Sequence, residues 1–311
     1  MSQALAFVFP GQGSQQVGML SELAAAHPVI EETFAEASTA LGYNLWELVQ
    51  AGPEEQLNST EVTQPALLTA SVALWRLWEQ QGGATPAVMA GHSLGEYSAL
   101  VCAGAMSLEA GVKLVKLRGE LMQQAVPAGT GAMAAILGLD DASVKSACAL
   151  AAEGEVVAPV NYNCPGQVVI AGEKLAVERA MAACKAAGAK RAIALPVSVP
   201  SHCSLMKPIA EEMAAALTSV ALDMPMVPVV QNVTAQVVDS VESLRKNLVA
   251  QLYSPVLWTD SVSAMVDRGV LVTIECGPGK VLSGLNKKIN KSLDVVSLTD
   301  VVSFEKALSL I

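Results

Sequence analysis

The stretch VMAGHSLGEYSAL, residues 88–100, constrains the chain more than any other. An apolar, strand-like run (87–91) enters Gly91-His92-Ser93-Leu94-Gly95, and a helix-like run leaves it. A G-x-S-x-G at a strand-to-helix corner has the form of a nucleophile elbow. The serine sits in a strained turn, and the flanking glycines keep neighbouring backbones from colliding. The helix start then points unbonded N–H groups and the positive end of its dipole at the serine oxygen. The bland alternative is a tight turn with no chemistry, because so short a pattern also recurs by chance.

The context favours an α/β fold. Short apolar runs alternate with helical spacing along the chain. ALAFVF (4–9) reads as a buried strand ending in PGQGS, and helical spacing follows over 28–50 and 65–81. After the elbow, helices are predicted over about 94–105 and 108–125. From VPAGTGA (126–132) the pattern changes to strand (133–139), helix (141–153), strand (156–163), strand (167–172), helix (173–188) and strand (190–197). The order β-α-β-β-α-β is the ferredoxin-like signature. A helix near 204–217, strands near 227–232 and 270–275 and a closing helix complete the chain. The fold class expected is α/β, with a parallel-sheet, α/β-hydrolase-like core formed by 1–125 and 199–311. Residues 126–198 form an inserted ferredoxin-like (βαββαβ) subdomain.

A serine nucleophile needs a base, and the chain has three histidines. His27 precedes a proline in a polar loop and reads as solvated. His92 adjoins the serine, but neighbouring strand residues face opposite ways, so it reads as support for the elbow. His202, in VSVPSHCSLMKP, follows a strand and precedes a helix, where α/β active sites gather. It is the best base by elimination, against the alternative that an isolated histidine is more often structural. In GVKLVKLRGELMQQA (111–125), Leu114, Leu117, Leu121, Met122 and Ala125 form an apolar stripe, with Lys113, Lys116, Glu120 and Gln123 opposite. Arg118 falls within the stripe, and a buried arginine needs a partner. That partner is either an internal carboxylate or a substrate carboxylate held by the guanidinium fork. PGQGSQ, after the first strand, suits a backbone N–H offered to an oxyanion.

Composition removes other classes. The net charge of −10 argues against nucleic acid as a partner, because neutralising phosphates takes a basic surface. Six cysteines without a C-x-x-C pair fit neither a disulfide framework nor a zinc site, and read as free thiols in a reducing compartment. No apolar stretch reaches the length of a membrane span, and the N-terminus lacks a basic signal-peptide region, so the cytoplasm is expected. GQGSQQVG and GPGKVLSG match neither nucleotide-binding loop, and no metal-ligand cluster stands out.

With GHSLG, PGQGSQ, the Arg118 helix, NYNCPGQ (161–167), VPSHC (199–203), QLYSPVLW (251–258) and ECGPGKVLSGL in one order, the chain resembles the malonyl-CoA:acyl carrier protein transacylases of bacterial type II fatty acid synthesis. The likeness runs nearly end to end. It implies a ping-pong transfer with malonyl-CoA and acyl carrier protein as partners and no cofactor. Ser93 would attack the thioester, His202 would take its proton, and the backbone N–H groups of Gln12 and Leu94 would form the oxyanion hole. The resemblance also implies that Arg118 holds the malonyl carboxylate, that the Gln251 carbonyl orients His202, and that Asn161 and Met122 line the pocket. Ser201, small where related polyketide acyltransferases tend to carry a bulky residue, leaves the exclusion of a methyl branch open.

Two other readings compete. A serine hydrolase would share Ser93 and His202 but would need an acid such as Asp140 or Asp141, both of which fall in the insert, and would give Arg118 no task. A carrier-docking module without catalysis would not need every catalytic position filled. Residues 277–293, GPGKVLSGLNKKINKSL, hold four lysines and no acid. A helix over 280–293 would bury Leu282, Leu285 and Ile289 and gather Lys280, Lys287, Lys288 and Lys291 on its other side. That side is either a docking patch for an acidic carrier protein or a solvated helix face.

Overall fold

A computed structural model describes residues 4–127, 129–197 and 199–310. The first apolar run forms β1 (Ala4–Phe9), buried on both faces from Leu5 onward. Five helices follow: α1 (Ser21–Ala26), α2 (Val29–Leu41), α3 (Leu45–Ala51), α4 (Glu54–Leu57) and α5 (Thr60–Gln80). The single helix expected over 28–50 is therefore two. Gly42 ends α2 in the left-handed region, and the Asn44 side chain opens α3 by accepting from the Glu47 N–H.

The chain returns to the sheet as β2 (Val88–Gly91), then forms α6 (Leu94–Cys102) and α7 (Leu108–Gln124). A second unit follows: β3 (Gly131–Leu137), α8 (Asp141–Ala151), β4 (Val157–Cys164), β5 (Gln167–Glu173), α9 (Lys174–Ala186) and β6 (Arg191–Ala194). The remainder comprises a 3₁₀ turn (Ser204–Ile209), α10 (Ala210–Ser219), β7 (Val229–Val230), α11 (Val241–Ala250), α12 (Trp258–Asp267), β8 (Val270–Glu275), α13 (Val281–Ile289), β9 (Asp294–Ser297) and α14 (Val301–Ser309).

Five strands pair in parallel in the order β7-β2-β1-β8-β9. Helices cover both faces of such a sheet, which explains why its inner strands read as continuous apolar runs. The register sets Phe9 beside Gly91, so β1 and β2 end level and the PGQG turn emerges next to the elbow. His92 N–H donates to the Phe9 carbonyl at 3.0 Å and ties the two exits together.

The second sheet is antiparallel, in the order β4-β5-β3-β6. One face packs on its own helices through Ile136, Val144, Val168, Ile170 and Val177. The other face brings Met133, Val160 and Val169 against Cys203, the neighbour of His202, and so roofs the strand exits of the main sheet. Residues 128 and 198, near the expected limits of the insert, lie outside the described residues.

Several expectations need correction. The strand over 190–197 covers only 191–194, on an exposed edge. The strand over 227–232 is a two-residue pairing at 229–230. The helix over 280–293 stops at Ile289, where Asn290 turns extended and the chain heads into β9, so Lys280 is its N-cap and Lys291 lies beyond its end.

Candidate active site

The elbow owes its shape to two glycines. A Cβ on Gly91 would overlap the Gly95 backbone, and one on Gly95 would overlap the Phe9 carbonyl. Ser93, between them, takes φ 54° and ψ −110°, a conformation that costs about 1–3 kcal/mol in a residue with a side chain. Asn232 holds it there: its Oδ1 accepts from the Ser93 N–H at 2.7 Å, and its Nδ2 donates to the Gly91 carbonyl at 2.6 Å. Ser93 is the N-cap of α6, yet its hydroxyl does not cap the helix. Its Oγ lies 2.8 Å from His202 Nε2 instead.

His202, buried and itself at φ 64°, is fixed by main chain. Its Nδ1 lies 2.7 Å from the Gln251 carbonyl oxygen, and its backbone N–H donates to the Leu252 carbonyl. A carbonyl only accepts, so Nδ1 carries the proton and Nε2 presents its lone pair to the serine. Burial, reinforced by the Arg118 charge, lowers the imidazole pKa to about 3, so the ring is neutral.

Arg118, on α7, is 1% exposed and sits with the Tyr97 ring 5.4 Å from its guanidinium carbon. It donates to Gln64 Oε1 at 2.8 Å, to Gln251 Oε1 at 3.0 Å and to Ser93 Oγ at 3.2 Å. All three acceptors are neutral, and no described salt bridge includes Arg118. The nearest internal acid in this network is Glu96, which Gln251 separates from the guanidinium: Gln251 Nε2 donates to Glu96 Oε2 at 2.8 Å. Of the two partners open to Arg118, an internal carboxylate in direct contact is therefore not what the described residues supply.

Ser93 and His202 open on a cavity of about 230 Å³ between the two sheets. Gln12, Leu94, Arg118, Met122, Asn161 and Ser201 line it, as do Met133, Leu195 and Val197 of the second unit. Leu94 is the first residue of α6, so its N–H has no acceptor within the helix. The Ser93 N–H is already committed to Asn232, which leaves the Leu94 N–H and the turn at Gln12 as the backbone donors nearest the elbow.

Other sequence candidates fall elsewhere. Asp140 caps α8 by accepting from the Ser143 N–H, and neither it nor Asp141 lines the cavity. His92 does line it, bonds Asn163 through Nε2 at 2.8 Å, and is held neutral by burial, so it joins the elbow to β4. His27 is half-buried beside Phe304 rather than solvated. Lys280, Lys287, Lys288 and Lys291 are exposed and away from the cavity, and Lys287 Nζ donates to the Leu293 carbonyl. Sequence reasoning missed Glu96, Gln64, Asn232 and the side-chain role of Gln251. A lone acid in the otherwise apolar run after the elbow was the available sign of Glu96.

Residues 6–306 match the family described as acyl transferase domain, which sets this fold and cavity among the acyltransferases. A malonyl CoA-acyl carrier protein transacylase of Escherichia coli K12 is 62% identical, over 98% of this chain and 99% of that protein. The crystal structure of an acyl carrier protein S-malonyltransferase from Vibrio cholerae superposes with a TM-score of 0.95 at 60% identity, covering 97% and 99% of the two chains. A malonyl-transacylase solved in complex with its type II polyketide acyl-carrier protein gives 0.97 at 58% identity, covering 98% and 99%. The chain belongs to the malonyl-CoA:acyl carrier protein transacylases.

Proposed function

We propose that the chain moves malonyl from malonyl-CoA to the phosphopantetheine thiol of acyl carrier protein by a ping-pong route through a malonyl ester of Ser93. The observation that carries this reading is the Ser93 hydroxyl, 2.8 Å from a neutral imidazole and 3.2 Å from a buried guanidinium. In the first half-reaction His202 Nε2 takes the Oγ proton as Oγ attacks the thioester carbonyl. The Gln12 and Leu94 N–H groups bind the oxyanion. The intermediate collapses, and the CoA sulfur leaves with the proton from Nε2. In the second half the carrier thiol gives its proton to Nε2 and attacks the ester carbonyl, and Ser93 Oγ recovers the proton as it departs.

Arg118 selects the acyl group in this reading. Its present acceptors are neutral, so a malonyl carboxylate gains a charge-assisted contact that displaces no internal ion pair. Asn161 and Met122 shape the pocket, and Ser201 leaves room beside the histidine. No cofactor is needed for a transfer between two thiols by way of an alcohol. The strand order of the second sheet and its two helices support a ferredoxin-like insert over 126–198 in an α/β-hydrolase-like core of 1–125 and 199–311. No helix among the described residues is long and apolar enough to cross a membrane, and we place the enzyme's work in the cytoplasm, where fatty acid synthesis of this type occurs. Lys280, Lys287, Lys288 and Lys291 are assigned to carrier docking.

Intact-mass measurement after mixing with malonyl-CoA tests the route. One malonyl mass should appear, on a peptide containing residues 88–100, and Ser93→Ala should not acquire it. Malonyl transfer at near wild-type rate by Ser93→Ala would falsify the serine-ester reading.

A further inference from the structure

Glu96 is a carboxylate built into the network around Ser93, and the transfer steps above give it no task. It is 1% exposed. Its Oε2 accepts from Asn232 N–H at 2.9 Å and from Gln251 Nε2 at 2.8 Å, while Oε1 has no hydrogen-bond partner among the described residues. Each of those partners reaches the reacting groups. Asn232 fixes the Ser93 N–H, the Gln251 carbonyl fixes His202, and Gln251 Oε1 accepts from Arg118. One amide thus separates a buried acid from a buried guanidinium.

A buried cation needs a countercharge, and the direct partners of Arg118 are neutral. Glu96, bonded to the same Gln251 amide as Arg118, is the acid placed to supply it. A malonyl carboxylate on Arg118 then puts two acids around one guanidinium in a low-dielectric site. Each acid then raises the pKa of the other, and the one without direct contact to the cation is the one whose pKa rises more.

We propose that Glu96 is a positioning residue and the exchangeable counter-ion of Arg118: ionised in the free enzyme, protonated while malonyl occupies Ser93, and ionised again when the carrier thiol removes it. The proposal rests on the serine-ester reading. The proton balance is simple. CoA departs as a thiol with the hydroxyl proton of Ser93, the malonyl carboxylate stays ionised, and the proton on Glu96 comes from the medium and returns to it in the second half-reaction.

The surroundings favour a swing near neutral pH. Burial already pushes the Glu96 pKa up to about 7, against the pull of Asn232, Gln251 and Arg118. On its own helix, Tyr97 is pushed up to about 12 and is neutral. His202 and His92 are held neutral by burial, and α5 turns the uncharged Gln64 toward Arg118. Arg76 and Glu79 of α5 act on Cys102, at the other end of α6. The strands against α6, namely β1, β2 and β7, carry no titratable side chain. Glu61, also on α5, packs its backbone against Gly119 beside Arg118 but does not line the cavity. Among the described residues Arg118 is the ion that faces the substrate, with Glu96 behind it across Gln251.

The test counts protons and malonyl groups together. Enzyme in weak buffer at about pH 8, where a carboxyl titrating near neutrality is mostly ionised, is mixed with stoichiometric malonyl-CoA beside a pH indicator. Intact mass gives the malonyl-enzyme formed. Uptake should approach one proton per malonyl on Ser93, and Glu96→Gln, counted per malonyl whatever its rate, should take up none. Malonylation without uptake, or uptake undiminished in Glu96→Gln, overturns the proposal. Failure of malonyl to reach Ser93 overturns the serine-ester reading instead. Should Glu96→Gln not fold or not take malonyl, the infrared difference spectrum of the wild-type chain decides. A protonated-carboxyl band that shifts in heavy water, as the new ester carbonyl does not, must appear on malonylation, and its absence refutes the exchange.

Discussion

Two strand-to-helix corners flank β1, and they are put to opposite uses. At one, β2 runs through Ser93 into α6; at the other, β8 runs through ECGPGK into α13. Both helices present unbonded N–H groups at their first turn. In α13 the chain satisfies them itself: Glu275, fully buried at the end of β8, accepts from the Leu282 and Ser283 N–H groups at 3.0 and 2.7 Å. In α6 the N-cap hydroxyl turns away to His202, and Asn232 occupies the Ser93 N–H alone. The same corner is a structural joint when its own acid closes it, and on the proposed serine-ester route it is a place for a developing oxyanion when it is left open to a cavity.

The largest effect should come from removing the base at the open corner. His202→Ala should cost orders of magnitude in transfer. Asp140→Asn and Asp141→Asn should leave turnover almost unchanged, since Asp140 is engaged in capping α8 and the Gln251 carbonyl already orients the imidazole. Steady-state rates of the three variants decide the matter. A crippled Asp140→Asn or Asp141→Asn enzyme would restore the acid-bearing triad of a hydrolase.

Arg118→Ala should come next. Loss of a charge-assisted contact in a dry pocket is worth about 3–5 kcal/mol, so malonyl transfer should fall steeply. Acetyl transfer, which lacks the carboxylate, should fall much less. Comparing kcat/KM for the two acyl groups checks this, and equal losses would make Arg118 a structural residue of the same kind as Glu275.

The closed corner should answer differently. Glu275→Ala exposes two buried N–H groups to no acceptor and leaves a void. It should lower unfolding free energy by about 1–3 kcal/mol without changing turnover per folded molecule. Denaturant melts and active-site titration separate the two quantities. A turnover loss that follows the active-site count would support the comparison, and a loss per titrated site would break it.

The same contrast explains what could be read from the sequence. The elbow was legible because its signal is local: five residues, two of them glycines that the close backbone approach requires. Arg118 stood out through helical periodicity, and His202 through the scarcity of histidine. The rest of the network has no period. Glu96 meets Asn232 across 136 residues and Gln251 across 155, and only the fold brings them together. The parallel core was similarly plain from its buried runs. The split of 28–50 at Gly42 and Asn44, and the early stop of α13 at Asn290, hinge on single capping positions that a pattern of apolar spacing does not weigh.

The smallest effect is expected on the outer face of α13. The inner face of α13 buries Leu282 and Leu285 and half-buries Ile289, while Lys287 and Lys288 on the helix, Lys280 at its N-cap and Lys291 past its end are exposed. The chain carries a net charge of −10, so an acidic carrier meets long-range repulsion that a local basic patch would offset. Lys287→Glu combined with Lys288→Glu should therefore slow transfer to the carrier several-fold at low salt. The deficit should shrink as salt rises, because screening removes steering beyond a Debye length of about 10 Å at 0.1 M. Formation of the malonyl enzyme from malonyl-CoA should change little, because these lysines lie away from the cavity that holds Ser93. Stopped-flow measurement of the two half-reactions separates the outcomes. Equal slowing of both would make the patch a site for the CoA phosphates. No change in either would leave α13 closed at its N-terminus by Glu275 and solvated on its outer face, with the carrier docking elsewhere.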